Sequence, residues 1–154
     1  MRKKRLKLLL ACLILSIITI VIIVVFFRPM SINGDSMSPT YRHGEVIFTN
    51  TTTKNIEVGD IIVFYYGELK LIKRVVGMPN DTITIKDSSM YVNGDLIYIS
   101  EKAIEDSKVI LGNDEFYVLG DNRENSQDSR LLGKIKKRNI IGKVWFPKGI
   151  FRKE

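Results

Sequence analysis

The sequence predicts a mostly β protein carried on one helical stem, on three observations. Leu8–Phe27 is a run of twenty residues without a charge. Short segments rich in Val, Ile, Phe and Tyr follow it, and turn-forming residues separate them at close intervals. The long run has the length of a membrane-crossing helix, and the short segments have the composition of half-buried strands. With 154 residues, the chain has room for one compact domain and an anchor. The expected architecture is one transmembrane helix followed by a small, mainly antiparallel β-sheet or barrel-like domain. Its divisions are a basic segment at 1–7, the anchor at 8–27 and the outer domain at 31–154.

At ~1.5 Å rise per residue, a helix over Leu8–Phe27 reaches roughly 30 Å, the thickness of a bilayer core. Its only hydroxyls, Ser16 and Thr19, can bond back to helix carbonyls. Arg2, Lys3, Lys4, Arg5 and Lys7 precede the run, and Arg28 alone follows it closely. That bias orients the N-terminus to the cytoplasm and the rest of the chain outward. A cleaved secretory signal would have an apolar region of about 7–15 residues and a small-x-small exit. Here the run leaves through Val24-Val25-Phe26-Phe27-Arg28-Pro29, which favours an uncleaved anchor.

Beyond the anchor the expected strands are Glu45–Asn50, Asp60–Tyr66, Leu69–Val76, Thr82–Lys86, Met90–Val92, Leu96–Ile99, Glu115–Leu119 and Asn139–Phe146. Asn93-Gly94, between two of them, is the strongest hairpin signal in the chain. Ser100–Val109 is the one stretch in this region that suggests a helical turn.

The formal net charge of +7 would suggest a nucleic-acid partner if it were evenly spread. Setting aside the six basic residues that flank the apolar run leaves 18 of 24, against 17 acidic residues. The outer domain is therefore nearly neutral, and no nucleic acid is expected as a partner. From Arg130 to Glu154 nine basic residues face one acidic residue, an end suited either to an anionic membrane surface or to plain solvent. Cys12 is the single cysteine and His43 the single histidine, so no disulfide framework and no Cys/His metal cluster can form.

Gly34-Asp35-Ser36-Met37-Ser38-Pro39-Thr40 sets a serine in a turn just past the apolar run. Such a serine is either a turn residue or a nucleophile, and a nucleophilic hydroxyl needs a base. His43 lies in the charged, turn-like segment Tyr41-Arg42-His43-Gly44-Glu45, a poor setting for that role. A lysine serves if its amine is neutral, which requires burial to depress a pKa that is ordinarily ~10.4. In Leu69–Val76, strand alternation sets Lys73 on one face with Leu71 and Val75, while Lys70, Ile72, Arg74 and Val76 point the other way. Lys73 is thus a candidate for the desolvated base, or else a lysine lying over an apolar edge.

With these residues in place, the chain resembles the bacterial type I signal peptidases, especially the small form of monoderm species. Gly34–Thr40 resembles their serine box, and Gly59-Asp60-Ile61-Ile62-Val63-Phe64 their strand box. Ile72-Lys73-Arg74-Val75-Val76-Gly77-Met78-Pro79-Asn80-Asp81 is similar to their lysine box. Gly120-Asp121-Asn122-Arg123-Glu124-Asn125-Ser126-Gln127-Asp128-Ser129-Arg130 resembles the last box, and read alone it is a loop of turn formers. Four such boxes in order behind an N-in anchor make a specific signal.

The resemblance implies a serine endopeptidase with Ser36 as nucleophile and Lys73 as general base. It also implies that Ser126 orients the lysine amine, and that the Asp128–Arg130 pair braces the site. The oxyanion would be held by backbone N–H groups, that of Ser36 first. Met30, Ile32, Met37, Leu71 and Ile72 match the walls of the substrate pockets, whose shallow apolar shape excludes bulky groups. No cofactor or metal is implied. The implied partners are secretory preproteins with small residues at −1 and −3, together with membrane lipid. The implied location is the bacterial cell membrane, with the catalytic domain outside.

This chain departs from the pattern in places. Gly34 stands where some members carry a serine whose hydroxyl helps hold the oxyanion. Asn80 replaces the usual glycine in the lysine box and Glu124 the commoner aspartate of the last one. Asn accepts left-handed backbone angles, so the turn should survive. Three other readings compete. A self-cleaving repressor-type protease also uses Ser and Lys, but the apolar run argues against it. A catalytically silent membrane adaptor would need both reactive residues to be relics. A peptidase devoted to a few clients, such as pilus subunits, shares every residue named above.

Overall fold

The computed structural model describes residues 2–51 and 55–146. Helix α1 (Arg2–Phe26) leads directly into strand β1 (Phe27–Ser31). There follow β2 (Val46–Asn50), β3 (Ile61–Tyr66), β4 (Leu69–Gly77), β5 (Thr82–Lys86), β6 (Ser89–Val92), β7 (Asp95–Ile99), β8 (Ser107–Ile110) and β9 (Glu115–Leu119). A one-turn helix α2 (Ser129–Leu132), β10 (Ile135–Lys136), a 3₁₀ turn at Lys137–Asn139 and β11 (Ile140–Phe146) complete the described chain.

In α1, Ser16 Oγ donates to Leu13 O at 2.8 Å and Thr19 Oγ1 to Leu15 O at 2.9 Å, as their place in an apolar helix demands. Large apolar side chains from Leu9 to Val21 are exposed all round it, so this stretch does not pack on the domain. Among the described residues, no helix is long and apolar enough to cross a membrane. The side chains of Leu8 and Ile22–Phe27, which belong to the expected span, lie outside the described set. So do Lys148, Arg152 and Lys153 of the basic C-terminal end.

The strands form two antiparallel sheets. The larger has the order β1-β2-β11-β3-β4-β9-β10, and the smaller β7-β6-β5-β8. Among the described residues both end in open edges, so of the expected sheet or barrel-like forms the chain takes that of two antiparallel sheets. The central strands of the larger sheet are buried on both faces, and alternation sorts their side chains. Ile62 and Phe64 of β3 join Val75, Phe116, Val118, Ile135 and Ile140 on one face. Ile61 and Val63 join Ile32, Met37, Tyr41, Ile47 and Ile72 on the other. On β9, Tyr117 and Leu119 pack with Ile83, Ile85, Met90 and Leu111, which welds the smaller sheet on. At this weld a Cβ on Gly77 would meet Ile83 Cδ1 at 2.7 Å and Tyr117 Cβ at 3.0 Å, so glycine lets the two sheets pack without displacing the Ile83 side chain.

Asn93 and Gly94 adopt φ of 54° and 96° and join β6 to β7, as the dipeptide predicts. Asn80 has φ of 72°, so its turn survives without glycine. Asp81 secures that turn by accepting the Met78 N–H at 2.7 Å and the Asn93 side-chain amide at 2.8 Å. Three strands run against expectation. Strand β1 contains Pro29, which a sheet tolerates at an edge, where a missing N–H costs nothing. It begins at Phe27, ahead of the expected start of the domain at Ser31. Strand β8 occupies the end of the stretch read as a helical turn, paired to β5. The two-residue β10 pairs with β9.

Candidate active site

Three segments converge on one point. The Gly34–Thr40 turn connects β1 to β2, β4 carries Lys73, and the Gly120–Arg130 loop follows β9. In register, Ile62 of β3 stands opposite Lys73, and Leu119 of β9 opposite Arg74. Lys73 is only 2% exposed. Its Nζ donates to Ser36 Oγ at 2.6 Å and to Ile72 O at 2.8 Å.

Burial is the chief cause that lowers the Lys73 pKa from 10.5 to about 8, opposed by the Asp128 and Asp121 carboxylates. At pH 7 about a tenth of such an amine is neutral, against about one part in three thousand for an ordinary lysine. The amine is therefore within proton-transfer distance of a serine hydroxyl, and its neutral fraction at pH 7 is a few hundredfold larger than that of an ordinary lysine.

Both opposing carboxylates are held by arginines. Asp128 is fully buried and caps α2. Its oxygens accept from Arg130 Nε at 2.9 Å, Arg130 Nη2 at 2.9 Å and the Gly120 N–H at 2.9 Å. Asp121 accepts Arg74 Nε at 2.7 Å and Arg74 Nη2 at 2.6 Å. These bidentate pairs spend the negative charge that would otherwise stabilise the Lys73 ammonium. Ser129 Oγ accepts the Val118 N–H at 2.9 Å, fixing the start of α2 to β9.

Gly120 lies where the three segments meet. A Cβ there would fall 2.1 Å from Ser126 Oγ and 2.5 Å from Ser36 O. Ser126 thus packs on Gly120, and its expected hydrogen bond to the lysine amine is not made. Ser126 Oγ is buried without a hydrogen-bond partner among the described residues, while Lys73 Nζ is engaged by Ser36 and Ile72. The serine turn is clasped from the same loop: Asn122 donates through its backbone N–H to Ser36 O at 3.0 Å and through Nδ2 to Asp35 O at 3.2 Å. His43 is exposed and its Nδ1 accepts the Gly34 N–H at 3.1 Å, so it braces the turn from behind.

Of the expected pocket residues, Ile32, Met37 and Ile72 share one apolar cluster, with Met30 packed against it. Leu71 packs on the opposite cluster, with Ile62, Phe64 and Val75, because alternation along β4 turns it the other way. A separate cavity of about 580 Å³ borders the late loop and is lined by Ile85, Lys102, Ile104, Arg123, Ser126 and Arg130 among others. Among the described residues no group of His, Cys, Asp and Glu side chains is arranged to hold a metal ion. Sequence reasoning gave no role to Gly120 or Asn122, since both act on a partner more than eighty residues away.

Residues 5–148 match the family described as signal peptidase, peptidase S26. The chain is 34% identical to Signal peptidase I S of Bacillus subtilis, with 82% of this chain and 81% of that protein covered. It is 36% identical to Signal peptidase I P of Bacillus subtilis subsp. natto, covering 89% and 86%. Against Signal peptidase IB of Staphylococcus aureus the identity is 30%, covering 95% and 90%. The crystal structure of a signal peptidase I from Enterococcus faecalis aligns with a TM-score of 0.50 at 25% identity, over 61% of this chain and 100% of that one.

Proposed function

The chain belongs to the signal peptidase family, peptidase S26, and from that premise we propose that this serine endopeptidase removes signal peptides through a Ser36–Lys73 dyad. The observation that carries the reading is the 2.6 Å contact between Lys73 Nζ and Ser36 Oγ, made by an amine almost wholly removed from water. Neutral Lys73 takes the hydroxyl proton as Ser36 Oγ attacks the scissile carbonyl, and the Ser36 N–H receives the developing oxyanion. The Lys73 ammonium gives that proton to the leaving amine as the C–N bond breaks, which frees the mature N-terminus. Lys73 then deprotonates a water that hydrolyses the acyl-enzyme, releasing the signal peptide and regenerating Ser36. Asp128 and Arg130 hold the late loop against Gly120, and through it the spacing of the dyad.

The substrate class is secretory preproteins. Met30, Ile32, Met37 and Ile72 form the apolar wall beside the nucleophile that admits small residues at −1 and −3, and Leu71 is set aside by its packing. The site works at the outer face of a bacterial cell membrane, held there by α1. A twenty-residue uncharged run preceded by five basic residues supports this. So does a helix of 25 residues, about 37 Å long, whose large apolar side chains from Leu9 to Val21 are exposed. Confinement to that plane raises the effective concentration of cleavage sites emerging there. The domain divisions at 1–7, 8–27 and 31–154 follow from the same reading, with β1 drawing the domain's start back to Phe27.

The test incubates the purified full chain with several preproteins and reads the new N-termini. Cleavage after small residues that is lost in both Ser36→Ala and Lys73→Ala is expected. Full cleavage by Lys73→Ala would sink the dyad, and cleavage of only one substrate type would mark a peptidase with dedicated clients.

A further inference from the structure

The peptide bond between Asp35 and Ser36 has one end held and the other end working. In a trans peptide the C=O and N–H point in opposite directions from a common plane, so whatever grips the Asp35 carbonyl also aims the Ser36 N–H. That carbonyl accepts two hydrogen bonds, from the Ser38 N–H at 3.0 Å and from Asn122 Nδ2 at 3.2 Å. The next carbonyl, that of Ser36, accepts the backbone N–H of Asn122 at 3.0 Å. One residue of the late loop therefore grips the carbonyls on both sides of the serine. Its neighbour Asp121 holds Arg74, the residue after Lys73, at 2.7 and 2.6 Å.

We infer that Asn122 is a positioning residue for the oxyanion, its side-chain amide fixing the Asp35–Ser36 peptide so that the Ser36 N–H faces the charge that develops during attack. The inference rests on the reading of Ser36 as nucleophile and adds to it a residue that never touches substrate. Two physical effects act together. The grip removes the freedom of the peptide to rotate, so the donor is oriented before reaction begins. A hydrogen bond received by a peptide carbonyl also polarises the N–H of the same peptide and makes it a stronger donor. Gly34 has no side-chain donor to offer two residues before the nucleophile, so more of the oxyanion's stabilisation falls on this one N–H.

The experiment uses the full chain in detergent micelles and compares wild type with Asn122→Ala and the isosteric Asn122→Asp. A peptide aldehyde ending in Ala, whose adduct with Ser36 carries the oxyanion, reports on the tetrahedral state. The matching peptide alcohol reports on ground-state binding. The expected result is a kcat lowered about 10- to 100-fold with KM within twofold. The acid limb of the Asn122→Ala pH–rate profile should stay where it is, and Asn122→Asp, whose new carboxylate favours the Lys73 ammonium, is compared on the alkaline plateau. Aldehyde affinity should fall by the same factor as kcat/KM, and alcohol affinity should not change. Both variants cleaving at the wild-type rate, a rise in KM alone, a displaced acid limb in Asn122→Ala or unaltered aldehyde binding would each overturn the inference. If Asn122→Ala fails to fold, Asn122→Asp carries the comparison, since it keeps the side-chain shape and lacks the donor. Ser36→Ala and Lys73→Ala run beside them. Cleavage retained by Ser36→Ala would bring down the dyad and this inference together. With both dyad variants inactive, a fast Asn122→Ala would bring down this inference alone.

Discussion

Among the described residues, the four-stranded sheet buries only apolar side chains, Ile83, Ile85 and Met90, whereas the seven-stranded sheet buries Lys73 within a strand and Asp128 beside it. The two regions share one weld, through Tyr117 and Leu119, yet they spend stability differently. The smaller sheet gains from every group it removes from water. The larger one holds an amine in a place that disfavours its charged form, and the fall from 10.5 to about 8 corresponds to roughly 3 kcal/mol against the ammonium. The comparison therefore assigns support to one sheet and chemistry, at a cost in stability, to the other.

The sharpest way to break this division is Lys73→Met. Loss of the base should lower cleavage by at least about 10²–10⁴-fold while the fold becomes more stable at pH 7. The gain should be of order 1–2 kcal/mol, being the roughly 3 kcal/mol of disfavoured charge less two lost hydrogen bonds. The sign follows from linkage. Lys73 has a folded pKa below its unfolded one, so between about 8 and 10.5 the unfolded chain binds more protons and wild-type stability rises with pH. The advantage of the Met variant should shrink over that window in thermal unfolding measured at several pH values. A variant less stable than wild type at pH 7 would overturn the assignment of cost to the site sheet.

Gly120→Ala comes next. Its Cβ must displace both Ser126 and the Ser36 carbonyl, so kcat should fall about 100-fold or more, as expected of a misplaced nucleophile. Adding Ser126→Gly relieves only the first clash. It should recover stability in a melting experiment without recovering cleavage, and restored cleavage would show that Ser36 is not the constrained partner.

Asp121→Asn removes one of the two carboxylates that favour the Lys73 ammonium. The acid limb of kcat/KM, expected near pH 8 in wild type, should then move to lower pH by less than about one unit. A limb that moves upward would contradict the electrostatic account. The smallest effect belongs to His43→Ala. His43 is exposed and contributes one hydrogen bond to the Gly34 N–H, so cleavage should stay within about twofold and stability within about 1 kcal/mol. A collapse of activity would return histidine to the candidates for the base.

Features written in local pattern were legible in the sequence. Strand alternation singled out Lys73, Asn93-Gly94 marked its hairpin, and Ser16 and Thr19 bonded back along the helix as apolar surroundings require. Strand β1 was hidden by Pro29, whose reputation as a strand breaker lapses at an edge. The turn of helix at Ser129–Leu132 was hidden within a loop of polar residues, and its signal was the capping Asp128. Gly120, Asn122 and the packing of Ser126 were illegible for a different reason. Their partners are set by the meeting of three distant segments, and no spacing rule encodes such a meeting. Leu71 shows the limit of that pattern: alternation puts it on the same strand face as Lys73, and its packing against the Ile62, Phe64 and Val75 cluster emerges only from the tertiary structure.

The order of the larger sheet ties the candidate site to the far end of the described chain. Strand β11, last in the described chain, lies between β2 and β3. The serine turn belongs to the β1–β2 side of it and the lysine to the β3–β4 side. In the order of the ladder, residues 140–146 lie between the two halves of the proposed dyad. Pairings of such sequence separation close late in folding. Under the proposed dyad, nucleophile and base are joined through the hydrogen-bonded ladder only in a chain that has reached β11.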